Sequence, residues 1–396
     1  MKTINKTWIT WKRKCLAALL IVGLVLTAGC WSRRELNQLG IVLGTGFDLG
    51  EKGQVEVTAQ IVKPDAMKAG GGKDGGGGGQ SSPVLILSSQ GKSTFDAVRN
   101  FISVSSKRLF WSHNEIYIFG ESLAIRGVGP VLDFLERNPE LRREAALLVA
   151  KGKAKDILTV PGGLEKVSAI EINHALFAAN FLSKASKVDM HSFLLAYGSK
   201  ATSPTLPAIE LVTEFGKPKF MMTVMAVFKQ DKLAGWLDET ETRGLLWVID
   251  KVKGGIIVVP SPGKAGKLSL EIKQAKVKTA AKLQGGKPEI TVEIEEVANL
   301  DEETTAVDIT KPEIMSKINQ AQQQAISQEV QTAVNKAQKL KADIFGFGEE
   351  LHRANPQQWT KLKPSWDEIF PKLKIKVQVK TKIQFTGQKT APTIPK

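Results

Sequence analysis

Acidic side chains are absent from the first 29 positions of this chain. Cysteine occurs only twice in 396 residues and histidine only four times. Each scarcity closes off a class of protein. Cys15 and Cys30 are too few for a disulfide scaffold. His113, His174, His191 and His352 lie far apart, without an HxH or HExxH pair, so a zinc centre lacks ligands and no metal is expected. Carboxylates are plentiful, but no GxSxG, HExxH or SxxK motif stands in a context that supports catalysis, which argues against an enzyme and against a cofactor. The formal charge of +15 is spread along the chain with no zinc-finger, RRM or helix-turn-helix signature, so nucleic acid is not an expected partner.

What the amino terminus does contain is a basic head, with Lys2, Lys6, Lys12, Arg13 and Lys14, followed by the apolar run "CLAALLIVGLVLTAG". The run from Cys15 to Gly29 has 15 residues, short of the roughly 18 to 20 of a retained span, and small residues end it. Residues 1–29 therefore read as a cleaved export signal. Cleavage before Cys30 removes Cys15, leaves one thiol and lowers the formal charge from +15 to +10, because five basic and no acidic residues are lost.

A nucleophilic Cys30 would need a neighbouring base and a shaped pocket, which the first residue of a mature chain seldom has. "LTAGC" resembles a bacterial lipoprotein box instead, with Thr27 where leucine is usual and Leu26 beside it. In that reading the Cys30 sulfur carries a diacylglyceryl group, and two acyl chains give lasting attachment where one gives only reversible binding. Trp31, Arg33 and Arg34 follow the anchor, where an indole suits the headgroup zone and each cation gains about 1 kcal/mol near anionic lipid.

Beyond the anchor, period-2 alternation predicts a hairpin of strands over 41–48 and 54–62. Gly44, Gly46 and Gly50 approach a dinucleotide fingerprint, but Leu49 takes the place of its third glycine and a strand follows, so nucleotide binding is discounted. The stretch "AGGGKDGGGGGQSS", 69–82, reads as an inserted loop, and no GK[ST] follows it at P-loop spacing. A strand over "PVLILSS", a helix capped by Ser93 and Asp96 holding Phe95, Val98, Phe101 and Ile102, a strand at "NEIYIFG", a helix at "VGPVLDFLERN" and a strand at "EAALLVAKG" give a mixed α/β section. "GLEKVSAIEINHALFAANFL" adds more helix, and His174 and His191 read as boundary histidines of helices.

The Pro-bearing segment "SPTLPAIELVTEFGKPKF" suggests a change of domain around 213–219. The expected organisation is an N-terminal α/β region over 30–212 and a C-terminal α+β domain over 220–396. The second opens with a hairpin turning at Lys229–Lys232, then a helix at "TETRGLLWVIDKV" and long strands over 254–298, with a turn at "SPGKAGKLS". Thr310 and Glu313 suggest a capping box, with Pro312 in the first turn, for a helix running to about residue 343. Its stripe of Ile314, Ile318, Ala321, Ala325, Val330, Ala333, Ala337 and Leu340 fits a helix lying on a sheet. In the last strand Leu373, Ile375, Val377, Val379, Ile383 and Phe385 alternate with Lys372, Lys374, Lys376, Lys380 and Lys382, giving one core face and one positive face. The positive face reads as solvated, with anionic lipid or an acidic partner as the sharper alternative.

Four stretches then carry a resemblance: "GCWSRRELNQLGIVLGTGFD", "SHNEIYIFGESLAIRGVGPVLDFLERNPELR", "MAVFKQDKLAGWLD" and "DIFGFGEELHRANPQQWTKLKPSWDEIF" with the strand after it. Together they resemble the Ger(x)C family of spore-germination lipoproteins over essentially all of the mature chain. The resemblance implies a C subunit of a nutrient germinant receptor, anchored through Cys30 on the outer face of the spore inner membrane beside two integral membrane subunits, A and B. It implies an α+β fold of up to three subdomains, each a largely antiparallel or mixed sheet flanked by helices. It transfers no ligand site, since Cys30 is the one functional position that matches. Trp359 and Trp366, with Phe345, Phe347, Ile369 and Phe370, read as pins for a turn and two short helices broken at Pro356 and Pro364, rather than as a subunit contact. A solute-binding lipoprotein of a transporter shares the signal and anchor, but would have two similar lobes around a cleft.

Overall fold

A computed structural model describes residues 8, 10–18, 38–63, 82–263, 265–305 and 308–385. Cys30 and nearly all of the Gly-rich segment lie outside the described residues. The elements below belong to the compact unit that runs from Ile41 to Lys396, β1 beginning two residues earlier.

The first half of the chain alternates strands and helices. In order these are β1 (Leu39–Leu49), β2 (Val55–Val62), β3 (Val84–Gly91), α1 (Thr94–Asn100), β4 (Arg108–Phe110), β5 (Ile116–Gly120), α2 (Glu121–Arg126), α3 (Gly129–Arg137), β6 (Ala146–Ala150), α4 (Ala154–Thr159), α5 (Ser168–Phe181) and α6 (Met190–Gly198). Then come β7 (Thr205–Glu214), β8 (Lys217–Lys229), β9 (Lys232–Trp236), α7 (Glu239–Val248), β10 (Ile256–Pro260), β11 (Lys267–Gln284) and β12 (Lys287–Glu303). The chain closes with α8 (Pro312–Lys339), α9 (Phe347–Ala354), α10 (Pro356–Leu362), α11 (Trp366–Ile369) and β13 (Lys374–Phe385).

The strands make two sheets, and the class is α+β. One has the order β3-β2-β1-β5-β6-β7-β8-β9, with β4 paired to β1; the other has the order β10-β11-β12-β13. In the first, β1, β5, β6 and β7 are parallel and the outer strands antiparallel. Central parallel strands are covered on both faces, so they are apolar without alternation. Ile116 and Ile118 of β5 face one core while Tyr117 and Phe119 face another, all fully buried. The core holding Ile116 continues without a break through α4, α5 and α7 to the second sheet and α8.

Several expectations are corrected in detail. Helix α1 keeps its Ser93 cap, whose hydroxyl accepts from Asp96 N–H, but Phe101 and Ile102 fall in a 3₁₀ turn that leaves Ile102 exposed. Helix α5 starts at Ser168 because Gly162 and Gly163 form a loop, the latter donating its N–H to the Glu171 carboxylate. There is no Thr310–Glu313 capping box. Lys311 precedes α8 without a side-chain cap and the Thr310 hydroxyl donates to Asp308, so Pro312 alone presets the first turn. Helix α8 ends at Lys339, because Lys341 adopts a left-handed φ of 53°.

Strand β7 was not expected, because Pro207 lowers any strand reading. The proline sits at an irregularity in the β7–β8 pairing, between Pro207 and Ile209, where a missing donor is tolerated. The expected domain change at 213–219 falls on the β7–β8 hairpin, so the first sheet runs across it.

Candidate functional site

The block from Asp343 to Phe370 that carries much of the resemblance is organised around one carboxylate. Asp343 is wholly enclosed. Its Oδ1 accepts backbone N–H groups from Phe345 (3.2 Å), Gly346 (3.0 Å) and Phe347 (3.2 Å), and its Oδ2 accepts from Gly348 N–H (2.9 Å) and Trp366 Nε1–H (3.1 Å). The turn is possible because Gly346 takes a left-handed φ of 74°, where a side chain is strained. Burial pushes the Asp343 carboxyl up to about 6, against the pull of the five donors, so it is ionised at neutral pH. Around it Trp359 and Trp366 meet edge to face at 5.3 Å, and Phe345 stacks on Phe347 at 4.9 Å. Those aromatics and Phe370 are buried, Ile369 is half-buried, and the cluster pins α9, α10 and α11. Its chemistry is anion solvation by a fixed nest of donors, a structural device.

Two further buried carboxylates lie on or against α8. Glu329 accepts from Arg243 Nε–H (2.9 Å) and Trp247 Nε1–H (2.9 Å), and Arg243 Nη2–H donates to its other oxygen; Arg243 also donates to the Ile256 carbonyl (2.9 Å). One side-chain group thus joins α7, α8 and β10. Glu296, on the inner face of β12, meets Gln322 of α8, whose Nε2–H donates to Glu296 Oε2 at 2.8 Å. Burial raises the Glu296 carboxyl to about 8, so it is protonated at pH 7. Glu296 Oε1 and Gln322 Oε1 are buried without a hydrogen-bond partner, so a single bond joins the two side chains.

The linkage sign follows from that raised value. Unfolding returns Glu296 to its ordinary 4.5, so the stability it contributes is present below that pH and is lost as pH rises through about 8. Wild type should lose up to about 1.4 kcal/mol per pH unit from this group across the window, and Glu296→Gln should remove that slope. Urea melts of both proteins at pH 6, 7 and 8 check it: parallel pH profiles would contradict the assignment.

On the outer face of the second sheet the final strand behaves as expected, with Lys374, Lys376, Lys380 and Lys382 exposed and Ile375, Val377, Val379 and Ile383 packed inward. The face is not uniformly positive. Glu289 and Glu295 of β12 stand level with Lys374 and Lys380, and Glu289, Glu293 and Glu295 stand level with Lys282, Lys278 and Lys276 of β11. Lysine rows therefore flank a glutamate row, with Lys380 at 3.9 Å from Glu295. Cross-strand pairing of opposite charges supports the sheet and leaves a moderate cationic excess.

The histidines remain apart: His174 lies beside Glu165 at 3.2 Å, His352 against the Trp359 ring, and His113 against Phe110. Among the described residues no group of three His, Cys, Asp or Glu side chains converges as a metal site. Gly44 and Gly46 serve packing instead of phosphate: a Cβ at Gly44 would lie 2.9 Å from Ala169 Cβ of α5, and one at Gly46 3.0 Å from Ala154 Cβ of α4. Among the described residues no helix is long and apolar enough to cross a membrane. Sequence reasoning missed Glu296, Glu329 and Asp343, because nothing local separates a buried acid from the many exposed ones.

Two family descriptions match the chain. Residues 32–211 match the family described as spore germination protein N-terminal domain, and residues 223–387 match spore germination B3/GerAC like, C-terminal. The chain belongs to the Ger(x)C spore germination family. Spore germination protein KC of Bacillus subtilis is 29% identical over 399 residues, covering 96% of this chain and 98% of that protein. Spore germination protein B3 of the same organism is 25% identical, covering 91% and 94%. The crystal structure of the GerBC protein superposes with a TM-score of 0.54 at 23% identity, over 86% of this Ger(x)C chain and 96% of that one, and shows that the fold is shared.

Proposed function

We propose that this Ger(x)C protein is the non-catalytic C subunit of a nutrient germinant receptor, exported and held by acyl chains on Cys30 to the outer face of the spore inner membrane, beside two integral membrane subunits. The observation that carries the reading is collinear similarity to spore germination proteins KC and B3 along nearly their whole length. The export signal and "LTAGC" support the anchor, and a body held at the membrane by acyl chains would work with embedded companions to pass a signal inward. A solute-binding lipoprotein fits less well: the two sheets differ in strand number and order and do not form matched lobes.

Cys30→Ala should release the protein from the membrane fraction and lower nutrient-triggered germination in a strain without redundant receptors. Membrane fractionation, mass spectrometry of the mature amino terminus and co-purification with the membrane subunits check this. An unacylated terminus with normal germination would remove the reading.

A further inference from the structure

Helix α5 is apolar on nearly every side, with Glu171 its only acid or base besides His174, a pattern expected of a helix covered all round. Yet Phe177 is 68% exposed, Phe181 one turn later 62%, and Leu182 48%. The surface continues onto the second sheet. Ser183, held at a φ of 54°, accepts the N–H groups of Lys253 (2.9 Å) and Gly254 (3.4 Å) through its hydroxyl. That contact brings β10 alongside, with Ile256 at 55% and Val258 at 54% exposure. Along α5 and the loop before β10 the rim is cationic, with Lys184, Lys187, Lys251 and Lys253 exposed and Asp250 the acid in that loop, whereas on the β11 side Glu271 stands opposite Ile256.

The position of this surface in the fold says what covers it. Asn173 of α5 donates to Glu115, the residue before β5, and Val188 accepts from Leu147 N–H at the start of β6. The carboxyl end of α5 therefore lies at the end of the first sheet where β5 and β6 begin. Strand β1 is parallel to β5, so the chain enters the body at that same end. From Cys30 to Ile41 is 11 residues, a reach of at most about 40 Å when fully extended. Exposed aromatics with lysines along the α5 and loop side, at the end of the sheet where β1 begins, match the chemistry of a headgroup–acyl boundary carrying negative charge.

We propose that Phe177, Phe181, Leu182, Ile256 and Val258, rimmed by Lys184, Lys251 and Lys253, form the face on which this body rests against an anionic bilayer. The proposal deepens the anchored-subunit reading and rests on it for the membrane encountered, but the contact itself needs no acyl chain.

The test uses the mature chain from residue 30 with Cys30→Ser, sedimented with phosphatidylglycerol–phosphatidylcholine vesicles and with phosphatidylcholine vesicles alone. The parent should bind the anionic vesicles. The double variant Phe177→Ser, Phe181→Ser should lose at least tenfold in partition, and the triple variant Lys184→Gln, Lys251→Gln, Lys253→Gln should fall to the level seen on neutral vesicles. Thermal melts should be unchanged, because every altered side chain is exposed. Changing Lys374, Lys376, Lys380 and Lys382 to Gln should leave partition within twofold. A parent that ignores protein-free vesicles would overturn the proposal and give the face to a protein partner. Patch variants that bind like the parent, or loss confined to the Lys374–Lys382 variant, would overturn it as well. Mass spectrometry separates the two readings: vesicle binding with an unacylated Cys30 supports this face and removes the anchor, whereas an acylated Cys30 with no vesicle binding does the reverse.

Discussion

Asp343→Ala should cost about 3–5 kcal/mol, because four backbone N–H groups and the Trp366 indole lose their common acceptor inside a closed core. Water cannot substitute without opening the aromatic cluster. Asp343→Asn should cost less, about 1–2 kcal/mol, since one amide oxygen still accepts while its NH₂ faces donors. Urea unfolding followed by tryptophan fluorescence checks both, because Trp359 and Trp366 lie within the affected cluster. A near-neutral alanine variant would show that the turn is held by chain geometry and not by the carboxylate.

Gly244→Val should be comparably severe. A Cβ at this position would stand 2.1 Å from the Glu329 carbonyl oxygen and 2.7 Å from Ala333 Cβ, so α7 and α8 cross at backbone distance. A backbone atom cannot swing aside as a lysine tip does. The helices must separate, which strains the Arg243–Glu329–Trp247 group and opens the core beneath it, for a loss of at least about 3 kcal/mol. Gly198→Ala, where nothing lies within 4 Å, is the matched control and should stay within about 0.5 kcal/mol of wild type. Equal denaturation midpoints for the two variants would refute the close crossing.

These two sites mark where sequence reading stops. The alternation of Val55, Val57, Ala59 and Ile61 showed β2 directly, and the lysine alternation showed β13, because a strand's period is visible within its own residues. Strand β7 was hidden by Pro207, whose lost donor is harmless only because of a pairing irregularity that the partner strand supplies. The need for Gly244 comes from α8, more than 80 residues away. Gln322 and Glu329 interrupt the apolar stripe of α8 and are buried nonetheless, because Glu296 and Arg243 wait for them on other elements. Complementarity of this kind is a property of the assembled core.

The parallel docking of β13 beside β12 has a consequence for biosynthesis. The β11–β12 hairpin and α8 are complete in sequence well before Lys374, yet the face they share stays open until the final dozen described residues add their side chains. An emerging polypeptide therefore holds an unfinished, sticky half until its tail is released, and a stop codon anywhere before Lys374 should yield a protease-sensitive product, not a shorter working one.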